Sequence, residues 1–244
     1  MALLFLGGNS MIINHEHPAY VKRRAQLGAG QWNGAYYYSK EICDNIIPNV
    51  KTDRNWITVN VKGEGEDHAI VFIHNNDHPE NYEWLKKFKD LVIVCGVPST
   101  VEKVKHLGKA IYLPLSIDTE YVEQFKTDKK TKKVAYFGRK AKAQGIPQGT
   151  DIISGLPRKE LLKRMSKYEK VYAVGRCALE ALCLGVEEIL PYDERYPEVK
   201  LWKVVDNKEA AKILQKELDK IDKPKEEKAE KPKAKKPVKK KAKK

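Results

Sequence analysis

Three features of the sequence predict an α/β protein built from two similar halves. Short runs of β-branched and aliphatic residues alternate with amphipathic stretches of helical length, the rhythm of parallel strands joined by crossover helices. The rhythm breaks at the polar stretch KTDKKTKK, residues 126–133, which reads as a linker. It then resumes and runs to residue 222, leaving a Lys-rich segment, 223–244, with no pattern of either kind.

In the first half ALLFLGG reads as a strand, and WITVNV and AIVFIH as two more. PENYEWLKKFKD is a helix, with Pro79 in its first turn, where a missing N–H costs little. LVIVCG is a buried strand. PSTVEKVKHLG is a helix opened by Ser99 or Thr100 and closed by Gly108, and AIYLPL is the next strand. His15 to Gln31 fits neither rhythm and reads as a loop with a short helix. In the second half KVAYFG and TDIIS are strands, PRKELLKRMSKY a helix and KVYAVG a strand. RCALEALCLG is a helix, EEILP a strand and NKEAAKILQKELDKI the last helix. Each half is thus a mostly parallel sheet with helices on both faces. The reading is of two Rossmann-like halves, 1–127 and 128–222, facing a cleft, with ligands bound beyond the carboxyl ends of the strands.

Composition narrows the class. No apolar run approaches the ~20 residues of a membrane span. ALLFLGG is too short for the apolar part of a signal peptide, so a cytoplasmic protein is the expectation. Cys43, Cys95, Cys177 and Cys183 lie in apolar contexts without a C-x-x-C pair, and read as small buried hydrophobes. Of the formal charge of +14, residues 223–244 carry twelve lysines against three glutamates, a net of +9 that leaves +5 for the rest. That tail has no apolar side chain larger than Val238 and cannot bury enough surface to fold. It reads as a tether for a polyanion such as DNA, RNA, teichoic acid or an anionic membrane surface, or as a solubilising tail without a partner.

Several stretches carry chemistry. In FGRKAKAQG a strand ends at Gly138, so the backbone can approach a diphosphate and Arg139 can donate to it in a bidentate fashion. In SGLPRKEL, backbone groups around Gly155 and Leu156 suit a flat base, or simply a helix entry. In VYAVGRCALEALCLG, Gly175 ends a strand and a helix begins at Arg176, an anion-binding geometry. Glu180 follows one turn later on the same face. It is suited to the vicinal hydroxyls of a ribose, or to an internal pair with Arg176. The order Arg before Glu is the weaker one on a helix, and an arginine in the first turn opposes the dipole; both disfavour a purely internal pair. His74, Asp77 and His78 follow a strand of the first half and are acid–base candidates, with Asp77 alternatively capping a helix. The histidines of HEH, 15–17, are weak evidence for a metal, and none is expected.

These stretches together resemble the two-domain nucleotide-sugar glycosyltransferases of the GT-B fold. FGRKAKAQG resembles their Gly-Arg loop, GLPRKEL the segment beside the donor base, and GRCALEALCLG the helix whose carboxylate binds the donor ribose. CGVPSTVEKVKHLGKAIYLPLSIDTEYVEQF resembles the passage that ends their first domain. WNGAYYYSKEI resembles the loop and helix near the acceptor and the transferring phosphate, which places Asn33 and Gly34 there. The resemblance spans roughly residues 32 to 220. It implies a nucleotide-sugar donor, UDP-linked, held by Arg139, Lys142, Gly155, Leu156, Arg176 and Glu180, with no separate cofactor. It also implies departures. The family lysine five residues after the arginine is Gln144 here, leaving Lys140 or Lys142 to substitute, and a second glutamate of retaining members is Tyr172. Size and charge point to an acceptor on a polyanion, foremost a hydroxymethylated base in DNA of the kind some bacterial viruses modify. Alternatives are a cell-envelope acceptor, or a nucleic-acid-binding protein that kept the scaffold without the catalysis.

Overall fold

The computed structural model describes residues 12–13, 21, 34–58, 67–73, 79–140, 143–190 and 203–222. Within them the protein is α/β, with two sheets of parallel strands. The first contains β1 (Ile12–Ile13), β2 (Asn55–Ile57), β3 (His68–Ile73), β4 (Asp90–Cys95) and β5 (Lys109–Tyr112), in chain order. The second contains β6 (Thr131–Phe137), β7 (Asp151–Ile153), β8 (Tyr168–Tyr172) and β9 (Glu188–Leu190), in the order β7-β6-β8-β9. The helices are α1 (Gly34–Glu41), α2 (Pro98–Val104), α3 (Thr119–Glu123), α4 (Arg158–Met165), α5 (Arg176–Cys183) and α6 (Asn207–Asp222).

Strands β3 and β4 of the first sheet are buried on both faces, and their two-residue period sorts their side chains. Ile70, Phe72, Val92 and Val94 point into a core shared with the second sheet and α6. Ala69, Val71, Ile73, Leu91, Ile93 and Cys95 point into a separate core, closed by Tyr82, Leu85, Phe88 and Val104. Helical cover on both faces accounts for the continuous apolar runs of β3 and β4.

Three local expectations change. PENYEWLKKFKD forms a 3₁₀ helix over Pro79–Lys87. Tyr82 and Leu85 within it and Phe88 just after it are buried at every third position, the period of a 3₁₀ helix rather than an α-helix. Helix α2 opens with Pro98 in its first turn after an extended Val97, and Thr100 is buried within it, so neither Ser99 nor Thr100 is the cap. The polar stretch 126–133 is a linker only in part, because β6 begins at Thr131, whose N–H bonds the Lys167 carbonyl at 2.7 Å. Backbone pairing with β8 overrides the lysine-rich composition there.

Helix α6 is the last helix among the described residues, as its spacing predicts. Its buried residues, Asn207, Ala210, Ala211, Leu214 and Leu218, form one amphipathic stripe. The helix meets first-half elements along its length. Gln215 accepts the Lys51 N–H at 2.6 Å and donates to its carbonyl, and Asp222 binds Arg54 at 2.7 Å. Just before the helix, Asp206 forms a parallel bridge with Ile117. Among the described residues no helix is long and apolar enough to cross a membrane.

Candidate functional site

The order β7-β6-β8-β9 places the first strand of the second half between the second and third, so the direction of winding reverses between β6 and β8. In open parallel sheets the crevice at such a reversal, outside the carboxyl ends of the strands, is where ligands bind. Two sequence-predicted segments leave the sheet there: Gly138–Arg139 after β6, and Gly175–Arg176 after β8.

The backbone of the first loop is held by groups of β6 and β7 and of the loop after β7. The Gly138 N–H donates to the Ile153 carbonyl at 3.3 Å, and the Tyr136 hydroxyl donates to the Arg139 carbonyl at 3.0 Å. The Tyr136 ring lies where a Cβ at Gly138 would stand, which is why the position is glycine. The Lys140 N–H donates to Ser154 Oγ at 3.1 Å, tying this loop to the one after β7 that leads to Gly155 and Leu156. Gly155 is exposed and Leu156 half-buried against the core. The Arg139 side chain is exposed and makes no ion pair or hydrogen bond among the described residues. It is a cation available to an anion.

The second segment is built differently. Gly175 caps α5 with φ 60° and ψ −137°, a backbone state that only glycine adopts readily. Arg176 and Glu180 are both buried, with side chains 7% exposed. Their mutual contact is long, 3.6 Å, and each has a nearer partner. Glu180 Oε1 lies 2.9 Å from Arg158 Nη2, and Arg176 Nη2 lies 2.5 Å from Glu41 Oε1. Glu41 also accepts from Arg158 Nη1, from Asn207 Nδ2 at 2.9 Å and from the Asp118 N–H at 3.2 Å. Two arginines and two carboxylates therefore close into one neutral cluster. The disfavoured internal pairing of Glu180 is present, but with Arg158 as its main partner. The order of Arg176 and Glu180 along the helix matters little when each has its nearer charge partner on another element.

Glu41 is the hub, and helix electrostatics explain its place. Arg158, Arg176 and Asn207 are the first residues of α4, α5 and α6, and Asp118 precedes α3. A carboxylate beside helix starts meets their positive dipole ends, and here the Asp118 amide and the first side chains of three helices donate to it. Burial pushes the Glu41 carboxyl up, but Arg176, Arg158 and the Asn207 hydrogen bond outweigh it and hold it below the usual carboxylate range. Aromatic faces complete the shell: Tyr38 under Arg176 at 5.3 Å, and Tyr37 and Tyr121 around Arg158 at 5.6 and 5.7 Å. Among the described residues, the Nε atoms of both arginines and Arg158 Nη2 are buried without a hydrogen-bond partner, so the Arg158–Glu180 contact is an ion pair and not a hydrogen bond.

Of the other predicted site residues, Gly34 begins α1, while Asn33, His74, Asp77, His78, Lys142 and the HEH histidines lie outside the described residues. Gln144 is exposed and Tyr172 half-buried. Cys95 and Cys183 are buried, and Cys43 and Cys177 only partly accessible. Glu41, Arg158 and Asn207 were not predicted. Glu41 left a signal: it lies beside Ile42 on the stripe that buries Tyr38 and Ile42, and a carboxylate on an apolar stripe needs a partner. Compared with models of known families, with curated proteins and with solved structures, the chain finds no match.

Proposed function

We propose that this chain is a nucleotide-sugar glycosyltransferase of the two-half GT-B type. It moves a sugar from a nucleoside diphosphate, UDP foremost, to an acceptor on a polyanion, with a modified base in DNA as the leading acceptor. The observation that supports the reading is the winding reversal between β6 and β8, which sets the Gly138–Arg139 loop and the start of α5 at the ends of neighbouring strands. In this reading Arg139 and the amides of α5 neutralise the diphosphate as it leaves, an electrostatic contribution that needs no reorganisation at the moment of reaction. Both Glu180 ion pairs run through Oε1, so the ribose hydroxyls are assigned to Oε2. Deprotonation of the acceptor hydroxyl falls to His74, Asp77 or His78.

Calorimetry with UDP-sugars on wild type and Arg139→Ala tests the donor site. The side chain is exposed and unbonded among the described residues, so its loss should weaken donor binding by about tenfold or more while leaving thermal stability unchanged. Equal affinity in both proteins would remove Arg139 from the site. Absence of a thermal shift with any nucleotide sugar would overturn the transferase reading. Sugar transfer to hydroxymethylated duplex DNA then tests the acceptor.

One observation favours a second reading, a nucleic-acid-binding protein on the same scaffold. The cluster already engages Arg176 and Glu180 with charges of the protein itself. DNA binding without a shift by any nucleotide sugar would select it.

A further inference from the structure

Opposite the crevice, at the amino end of β6, the surface is strongly basic. Lys126, Lys129, Lys132, Lys133, Arg164 and Lys167 are all exposed, and none makes an ion pair among the described residues. They share one neighbourhood. The Thr131 N–H bonds the Lys167 carbonyl, and the Lys167 N–H bonds the Arg164 carbonyl at 3.2 Å. A register irregularity between Thr131 and Val134 carries Lys132 and Lys133. Lys130 donates to the Gly185 carbonyl on the adjoining turn. Asp128, Glu169 and Glu187 lie on the same turns, with Glu123 and Asp151 beside them, fewer than the cations around them.

Elsewhere several lysines are matched by acids, Lys40 with Asp44, Lys86 with Glu83, Lys89 with Asp67, Lys105 with Glu102 and Lys220 with Glu217, while others such as Lys51, Lys103, Lys159 and Lys212 make no ion pair among the described residues. Unmatched cations gathered in one place raise the local potential, and they gain most from a partner that releases counterions on binding. The large exposed hydrophobics among the described residues, Val21, Tyr112 and Ile152, lie outside this group. A surface that docks on membranes adds apolar or aromatic side chains to its cations, and this one has none to insert.

We propose that this surface binds the phosphate backbone of a nucleic acid, as a docking site separate from the crevice. Strand β6, seven residues long, separates the two by roughly 20 Å at the rise of an extended strand. The site holds the polymer without reading its sequence, since phosphate contacts position and do not specify. It does not depend on whether the chain transfers a sugar.

The test compares two variants of the full chain with equal loss of charge. One carries Lys129→Gln, Lys132→Gln, Lys133→Gln and Lys167→Gln. The other carries Lys86→Gln, Lys89→Gln, Lys105→Gln and Lys220→Gln, all in acid-paired positions. Binding to a short mixed-sequence DNA duplex is measured against salt concentration, with thermal melts confirming that both variants fold. The first variant should lose about tenfold or more in affinity, and its log–log salt slope should shallow by about 0.9 for each phosphate no longer neutralised by a lysine. The second should stay within roughly twofold of wild type. Equal losses in both would reduce the effect to net charge and overturn the proposal, as would an unchanged first variant. Wild-type binding to equimolar phosphatidylcholine–phosphatidylglycerol vesicles as tight as to DNA, and equally weakened in the first variant, would assign the surface to membranes instead.

Discussion

Helix α6 is pinned at both ends by arginine–carboxylate nodes, and the two nodes differ in almost everything but their chemistry. At its start, Asn207 joins Glu41, Arg158, Arg176 and Glu180, with both carboxylates at most 11% exposed. At its end, Asp222 joins Arg54 and Asp90, with carboxylates 44% and 30% exposed, and with His68 and Lys109 on the Asp90 side. Burial pushes the Asp90 carboxyl up, yet the Arg54 hydrogen bond and charge, helped by His68 and Lys109, hold it below its usual range. Both nodes thus stabilise ionised carboxylates, but the cost of breaking them is unequal. Water can solvate a carboxylate orphaned at the end of α6. At its start, an orphaned charge stays largely in a low-dielectric surrounding.

The contrast predicts its largest effect at Glu41. Glu41→Ala leaves two buried guanidiniums facing one carboxylate and should cost about 3–5 kcal/mol, read from the urea midpoint at constant m. A loss under about 1 kcal/mol would mean that water enters the cluster and the contrast is false. Next comes the coupling between Arg158 and Glu180. A double-mutant cycle with Arg158→Met and Glu180→Gln should return an interaction energy of about 1–3 kcal/mol, the double variant being less damaged than the two single losses predict. Additivity would show that Arg158 acts through Glu41 alone.

Acid should reveal the same node. The Glu41 carboxyl has a lower pKa folded than unfolded, so the unfolded chain takes the proton first. Its contribution is fully present above the ordinary glutamate value of about 4.3 and is lost as pH falls through the folded value. Urea midpoints measured from neutral pH downwards should therefore fall below about pH 4, and Glu41→Gln should flatten that fall. An unchanged acid slope in the variant would move the titrating groups elsewhere, to Asp90 or Asp206, whose carboxyls are also held low.

Periodic features of the fold were legible in the sequence, and features that depend on distant partners were not. The strands around Ile70–Ile73, Leu91–Cys95 and Val134–Phe137 announced themselves by apolar runs, and α4, α5 and α6 by helical spacing. The 3₁₀ helix was also written there, in the three-residue spacing of Tyr82, Leu85 and Phe88, but an amphipathic segment next to a proline invites an α-helical reading. The start of β6 at Thr131 was not legible, because its hydrogen-bond partner, Lys167, is supplied by another element. The site divides in the same way. Gly175, Arg176 and Glu180 stood out locally as glycine and charge in an apolar helix. The hub that organises them, Glu41, lies 135 residues before Arg176, and no local pattern links the two.

The smallest expected effect tests the other side of the comparison. Asp222→Asn removes one charge from Arg54 but leaves Asp90 within 2.9 Å of the same nitrogen, and Asp222 itself is largely in water. The loss should be at most about 1 kcal/mol and should shrink further in high salt, since exposed pairs are screened within a Debye length of roughly 10 Å at moderate ionic strength. A salt-insensitive loss above about 2 kcal/mol would show that the end of α6 is as closed as its start. The buried Nε of Arg54, which has no hydrogen-bond partner among the described residues, makes that outcome worth excluding. A guanidinium already short of one hydrogen bond has less to spare, and only Asp90 and the surrounding water would then stand between Arg54 and the penalty that Glu41 averts at the other node.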